Sequence, residues 1–262
     1  MQTTHSADGT PIAYWREGSG PPLLLVHGGA CDHLAWHFVV PLLAEKFTVY
    51  SYDRRGRGES GDTDPYSVER EIEDVAAMLA TIGAPAHLLG HSAGGILALE
   101  AAQRTSSLLS LILYEPAYVV NGARERPGAK ALEKVQALLA EGNRDEVIRI
   151  AMRETLGLPE SEIAAMGAGP GWEHLIAVAH TIPYDWKLWD QPLVEGRARA
   201  VETRALVLMG SESPAWLQAG ATTVAAALPN ARLEVLPGQE HLATVTAPEM
   251  FAQAVLNFIE YG

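Results

Sequence analysis

Leu88-Leu89-Gly90-His91-Ser92-Ala93-Gly94-Gly95-Ile96-Leu97-Ala98-Leu99-Glu100 is an apolar run broken by a turn of small residues with a serine at its centre. The pattern is Gly-x-Ser-x-Gly. A strand that reverses into a helix within about one residue forces the corner residue into strained backbone geometry and leaves its side chain exposed at the top of the turn. Only small neighbours fit: a Cβ at Gly90 or Gly94 would collide with the turn, and Gly95 lets the new helix pack close to the sheet. The flanks agree, since Ala86-His87-Leu88-Leu89 has the character of a short buried strand and Gly94 to Gln103 is rich in helix formers without proline. The stretch reads as a nucleophile elbow. A plain ligand-contacting turn would need the same glycines, so the reading rests on what the rest of the chain brings to Ser92.

At 262 residues the chain can bury a large core, and it fits one α/β domain carrying an insertion better than two independent domains. A hydrophobic fraction of 48% excludes the composition of a disordered chain. The excess of 32 acidic over 19 basic residues gives a formal charge of -13, which repels phosphate backbones and anionic lipid. Neither nucleic acid nor a membrane surface is therefore an expected partner. The single cysteine, Cys31, leaves no intramolecular disulfide, and the start Met-Gln-Thr-Thr-His-Ser lacks the regions of a secretory signal. A cytoplasmic location is the expectation, and no apolar run approaches the roughly 20 residues that span a bilayer.

Outward from the elbow, strands alternate with helices. Thr10 to Glu17 reads as the return arm of a hairpin, Pro22 to Val26 as a continuous apolar strand ending in His27-Gly28-Gly29-Ala30, and Leu34 to Lys46 as a helix. Phe47 to Tyr52 is an expected strand. Ser67 to Ile82 is an amphipathic helix with Val68, Ile72, Val75, Met78 and Leu79 on one face and Ser67 as its cap. Between these two, Arg54-Arg55-Gly56-Arg57 reads as a tight loop rather than a phosphate site. After the elbow helix, the strand Leu108 to Tyr114 ends at Glu115-Pro116. Strand rhythm then stops: Ala129 to Glu141, Asp145 to Leu156, Glu160 to Met166 and Trp172 to Thr181 have helical character. Residues 119–195 read as a helical cap inserted between core segments 1–118 and 196–262. The rhythm resumes with strand Arg204 to Met209, helix Ala215 to Leu228, strand Arg232 to Leu236 and helix Pro248 to Tyr261. This alternation predicts an α/β fold with a mostly parallel central sheet and helices on both faces.

In such sheets ligand chemistry gathers at the carboxyl ends of the strands. The 27–30 loop offers backbone that can aim an N–H at developing negative charge, and the elbow helix offers the Ala93 N–H and its dipole. A serine hydroxyl needs a neighbour to take its proton. Among nine histidines, His241 in Pro237-Gly238-Gln239-Glu240-His241, just after the last expected strand, is placed to swing over Ser92. His27 reads as a brace for the glycine turn and His91 as pointing away from the nucleophile. His174 and His180 lie in the cap within reach of substrate, and His5, His33, His37 and His87 read as surface or packing residues. Histidines and carboxylates show no metal-ligand spacing, so neither a metal nor another cofactor is expected. Cys31 lacks surroundings that would lower its pKa and reads as a packing residue.

On His27-Gly28-Gly29, Gly90-His91-Ser92-Ala93-Gly94, the late His241 and the order serine, acid, histidine, the chain resembles the α/β-hydrolase superfamily over nearly its whole length. The resemblance implies the α/β-hydrolase fold with a helical cap and a serine hydrolase with Ser92 as nucleophile and His241 as base. It also implies an oxyanion hole from the backbone amides of Gly29 and Ala93, with Ala30 a rival to Gly29. The departure is the acid. Most relatives carry Gly-x-x-Asp after the penultimate core strand, whereas here that loop is Gly210-Ser211-Glu212-Ser213-Pro214. Glu115, at the end of the strand after the elbow helix, is the leading candidate and Glu212 the alternative. Certain haloalkane dehalogenases and fungal zearalenone lactonases resemble this relocated arrangement. A structural role would instead pair Glu115 with Arg124 or Arg126.

The cap gathers Tyr184, Trp186 and Trp189 as candidate substrate-binding residues, although a cap helix must bury an apolar face in any case. The expected activity is hydrolysis of a hydrophobic carboxylic ester or lactone, a small molecule, through an acyl-enzyme. Carbon–carbon bond hydrolysis or perhydrolysis with the same triad, and small-molecule reception on a hydrolase scaffold, are the alternatives.

Overall fold

Runs such as Leu23 to Val26 and Leu111 to Tyr114 are apolar at successive positions, so both faces of the strand must be covered, and in the computed structural model all eight residues are fully buried. The structure describes residues 1–120, 122–124, 127–169 and 171–261. Its strands are β1 (Gln2–His5), β2 (Pro11–Gly18), β3 (Pro22–Val26), β4 (Thr48–Tyr52), β5 (Ala86–His91), β6 (Leu108–Tyr114), β7 (Ala205–Gly210) and β8 (Ala231–Leu236). They form one 8-stranded sheet in the order β1-β2-β4-β3-β5-β6-β7-β8. The hairpin β1-β2 and the β2-β4 pair are antiparallel, and every pair from β4 to β8 is parallel.

Register aligns Leu24, Leu88, Leu111 and Ala205 in one row and Leu25, Leu89, Ile112 and Leu206 in the next. Because side chains alternate across a strand, the two rows feed opposite faces. The first packs with Ile72, Val75, Ile96 and Leu99 of helices Val68–Ile82 and Ala93–Ala102, and with Leu217 and Val224 of helix Ala215–Ala227. The second packs with Val40, Leu43, Phe251, Val255 and Phe258.

Strand order also positions the site. From β3 the chain steps outward to β4, and from β5 it steps the other way to β6, so a crevice opens between the carboxyl ends of β3 and β5. The 27–30 loop and Ser92 flank it.

Two expected helices differ. Leu34 to Lys46 is a 3₁₀ turn, His33–Trp36, followed by a short helix, Val40–Leu43, because Pro41 has no N–H to continue a longer one and sits instead in the first turn of the second. Trp172 to Thr181 likewise stops as a helix at Ala177, passes through a 3₁₀ turn and restarts as Ile182–Trp189, with Pro183 in its first turn. Between β6 and β7 the described chain is otherwise helical where expected: Ala129–Ala140, Arg144–Ala151 with a π-helical extension Met152–Leu156, and Glu160–Gly167. Among the described residues no helix is long and apolar enough to cross a membrane.

The elbow's demand for small residues has a measurable sign. A Cβ on Gly94 would stand 2.2 Å from the Val26 carbonyl oxygen and 2.4 Å from that of His27, whereas a Cβ on the helical Gly196 meets open space. Gly94→Ala is expected to lower unfolding free energy by roughly 1–3 kcal/mol, and Gly196→Ala to raise it by up to about 1 kcal/mol. Denaturant unfolding of the two variants checks this, and a Gly94→Ala protein as stable as its parent contradicts the packing.

Candidate active site

Ser92 stands between β5 and helix Ala93–Ala102 at φ 54°, ψ -119°. That backbone is rare for a residue with a Cβ and is held from all sides. The Ser92 N–H donates to the Tyr114 carbonyl (3.0 Å), and its own carbonyl accepts from Gly95 (2.9 Å) and Ala117 (3.2 Å). Across the crevice, a Cβ on Gly28 would lie 3.3 Å from Ser92 Cβ, so the 27–30 loop closes directly on the serine.

His241 follows β8 on a loop that the end of the sheet grips. Its Nδ1 lies 2.5 Å from Glu115 Oε2, and Glu115 Oε1 accepts the Gly210 N–H at 2.7 Å. Glu115 is fully buried and has φ 42°, which turns its side chain off the end of β6 toward β7 and the late loop. Two aromatic groups hold the backbone around His241. The Tyr114 hydroxyl donates to the Glu240 carbonyl and accepts the Ala243 N–H (3.1 Å), and His91 Nε2 donates to the His241 carbonyl (3.0 Å).

Ser92, His241, Gly29, Ala93 and Cys31 line one cavity of about 310 Å³, walled by Met152, Leu156, Met166, Ile182, Trp186 and Trp189. Among the described residues the N–H groups of Gly29 and Ala93 have no acceptor, while the Ala30 N–H is taken by Asp185 Oδ2 at 3.0 Å. Desolvation pushes the Cys31 thiol up to about 12, so it is not a thiolate near neutral pH.

The family model described as "Alpha/beta hydrolase family" matches residues 23–254. The chain belongs to this family. An alpha/beta hydrolase from Sphaerobacter thermophilus shares its structure with a TM-score of 0.90 and 40% identity, covering 98% of this chain and 99% of that one. Pimeloyl-(acyl-carrier protein) methyl ester esterase of Aeromonas hydrophila is 25% identical across 95% of this chain and 99% of its own. A protein described as a probable oxidoreductase EphD from Mycobacterium tuberculosis is 40% identical over 98 residues, which span 35% of this chain but only 17% of the relative.

In this alpha/beta hydrolase several candidates lie elsewhere than expected. Glu212 is exposed, with its carboxylate accepting from the Ser211 hydroxyl (3.0 Å) rather than from His241. Tyr184 does not line the cavity: it stacks on Tyr66 (4.0 Å) and donates to Asp62 (2.9 Å). Helical periodicity is the reason, since Ile182, Asp185, Trp186 and Trp189 share the cavity face and Tyr184 lies opposite. His174 pairs with Asp32 (3.1 Å) outside the cavity. Arg124 is directed at the carbonyls of Glu154 and Thr155 and lies over the Trp189 and Trp216 rings, and Arg126 lies outside the described residues.

The Arg54-Arg55-Gly56-Arg57 loop is more than a turn. Its three arginines are buried, Arg54 forks onto Glu71 (2.7 and 2.8 Å), Arg55 onto Asp74 (both 2.7 Å), and Arg57 reaches Asp185 (2.7 Å). Acids at 71 and 74 on the apolar face of their helix are the sequence signal for this cluster. Asp32, His33 and Asp53 bring ligand atoms within 4.8 Å of one another, a grouping that spacing did not indicate. Those atoms serve the loop itself: Asp53 Oδ1 accepts both the His33 N–H (2.9 Å) and Nδ1 (2.6 Å), and Asp32 Oδ1 caps Leu34 (2.8 Å).

Burial holds His27 and His91 well below the ordinary imidazole range and brings His87 to about 4. The unfolded chain takes protons on these residues near pH 6.5 and the native one does not. Stability is therefore full above that pH and falls as pH drops through it, by up to about 1.4 kcal/mol per pH unit for each histidine. Urea unfolding between about pH 7 and about pH 5, above most carboxylate titration, checks this. A flat or rising profile contradicts it.

Proposed function

We propose that the protein is a carboxylic ester hydrolase that works through an acyl-enzyme on Ser92. The observation that carries this reading is the Glu115–His241 contact at 2.5 Å, with His241 and Ser92 on the wall of one apolar cavity. In the mechanism, Ser92 Oγ attacks the ester carbonyl while His241 takes its proton, and Glu115 fixes the imidazole tautomer and offsets the charge that His241 gains. The Gly29 and Ala93 N–H groups receive the oxyanion, aided by the positive end of the elbow helix. His241 returns the proton to the leaving alcohol, and water then releases the acid by the same steps in reverse.

Residues 119–195 act as a cap over core segments 1–118 and 196–262, and Trp186 and Trp189 contact the substrate. Met152, Leu156, Ile182 and the two tryptophans favour an uncharged hydrophobic acyl or alcohol group, small enough for about 310 Å³, and lactones belong to the same class. The Aeromonas hydrophila relative, named as a methyl ester esterase, supports the bond type. A cytoplasmic setting belongs to the same reading.

Steady-state hydrolysis of p-nitrophenyl esters of rising chain length, with small and macrocyclic lactones, tests it. The wild type turns over part of the panel, and Ser92→Ala loses about 10⁶-fold in kcat; equal turnover by both proteins overturns the assignment. Glu115→Gln is expected to lower kcat by about 10⁴-fold and Glu212→Gln to leave it unchanged. The reverse outcome would move the acid to Glu212.

A further inference from the structure

Gly29 carries an oxyanion donor in the reading above, and the peptide groups on either side of it are clamped by one buried ionic cluster. The Gly28 carbonyl accepts from Arg54 Nη1 (2.8 Å) and from His27 Nδ1 (2.9 Å). In a trans peptide the C=O and the following N–H point in opposite directions, so holding the Gly28 carbonyl on Arg54 turns the Gly29 N–H away from Arg54. The next N–H, that of Ala30, is held by Asp185 Oδ2 (3.0 Å), and Ala30 sits at φ 50°, a conformation that a residue with a Cβ keeps only under constraint.

Asp185 comes from helix Ile182–Trp189, more than 150 residues further along the chain. Its Oδ1 accepts from Arg57 Nη2 (2.7 Å) and Arg54 Nη2 (3.2 Å), and Arg54 in turn forks onto Glu71. Two guanidiniums and two carboxylates thus balance in a buried cluster that touches both sides of Gly29. Close approach also explains the glycine. The backbone of Gly29 is not left-handed, yet a Cβ there would stand 2.8 Å from Asp185 Oδ2. Asp185 lines the cavity but both its oxygens are engaged, so it is occupied in holding the loop rather than in taking a proton from substrate.

We propose that Asp185 is a positioning residue for the oxyanion donor at Gly29, so that seating helix Ile182–Trp189 on the 27–30 loop is a condition of turnover. The proposal rests on the ester-hydrolase reading for its effect on rate, and on the hydrogen bonds alone for its effect on the loop. The segment between β6 and β7 then completes the catalytic centre as well as walling the cavity.

Asp185→Asn keeps the size of the side chain, but its NH₂ faces either the guanidiniums or the Ala30 N–H. The expected result is a fall in kcat of about 100-fold with KM nearly unchanged. The affinity for an alkyl boronic acid, whose tetrahedral adduct places an oxygen in the oxyanion hole, falls in parallel, while that for the matching ground-state ketone holds. A change confined to thermal stability, with kcat and boronate affinity as in the wild type, overturns the proposal. If Asp185→Asn does not fold, Arg57→Lys, which touches Asp185 but not residues 28–30, is read by the same ratio.

The amide resonances of Gly29 and Ala30 decide the matter independently of turnover. They shift and exchange faster in the variant if Asp185 holds the loop, and stay in place if it does not. Absence of turnover in the wild type would count against the ester-hydrolase reading and leave this loop measurement standing.

Discussion

Glu115 has no contact with solvent, and its two carboxylate oxygens reach different parts of the chain. A buried carboxylate without partners costs several kcal/mol, so native packing must supply them. Here the partners are the Gly210 N–H at the end of β7 and the imidazole of His241 beyond β8, which ties three successive strand ends together around one side chain. Gly210 can serve because nothing occupies its Cβ position, where an added carbon would stand 2.2 Å from the Gln239 carbonyl oxygen. Tyr114 and His91 then fix the peptide groups on either side of His241. The loop after β7 holds Ser213 where the resemblance to α/β-hydrolases leads an aspartate to be expected. Its buried hydroxyl has no hydrogen-bond partner among the described residues.

The second constraint is the corner at Ser92. The strain of its backbone is borne by the middle of the sheet, where β5 lies between β3 and β6, and by glycines whose replacement would drive a Cβ into main-chain oxygens. This rigidity lets the serine, the 27–30 loop and the His241 loop meet at one end of the crevice though they are far apart in sequence. The helical segment between β6 and β7 supplies most of the apolar wall and, through Asp185, one of the holds on the 27–30 loop.

Much of this is legible in the sequence. Apolar runs with glycine-rich ends specify the parallel strands, and Gly90, Ser92 and Gly94 specify the elbow, because the physics of those features is local. Glu115 is legible as a candidate acid because it ends the strand after the elbow helix, and its carboxylate meets His241 while that of Glu212 does not. What failed depended on long-range pairing or on proline. Pro41 and Pro183 each restart a helix where periodicity alone suggested a continuous one or none. The arginines at 54, 55 and 57 read only as a tight loop because their partners, Glu71, Asp74 and above all Asp185, are set by tertiary packing. Glu71 and Asp74 lie on the apolar face of their helix, a local signal of buried charge, but nothing local in the sequence pairs Asp185 with the 27–30 loop. Tyr184 falls outside the cavity because the helical period puts its ring on the face opposite Trp186 and Trp189, which aromatic content alone does not reveal.

The central claim is that Glu115, and not an acid in the 210–214 loop, holds the His241 ring. The most direct test is the proton NMR spectrum in water, where the Nδ1 proton of His241, shared with a carboxylate 2.5 Å away, should give a far-downfield exchangeable resonance. The account predicts that this resonance is lost in His241→Ala and in Glu115→Gln and persists unchanged in Glu212→Gln. A resonance that survives Glu115→Gln and disappears in Glu212→Gln would contradict it.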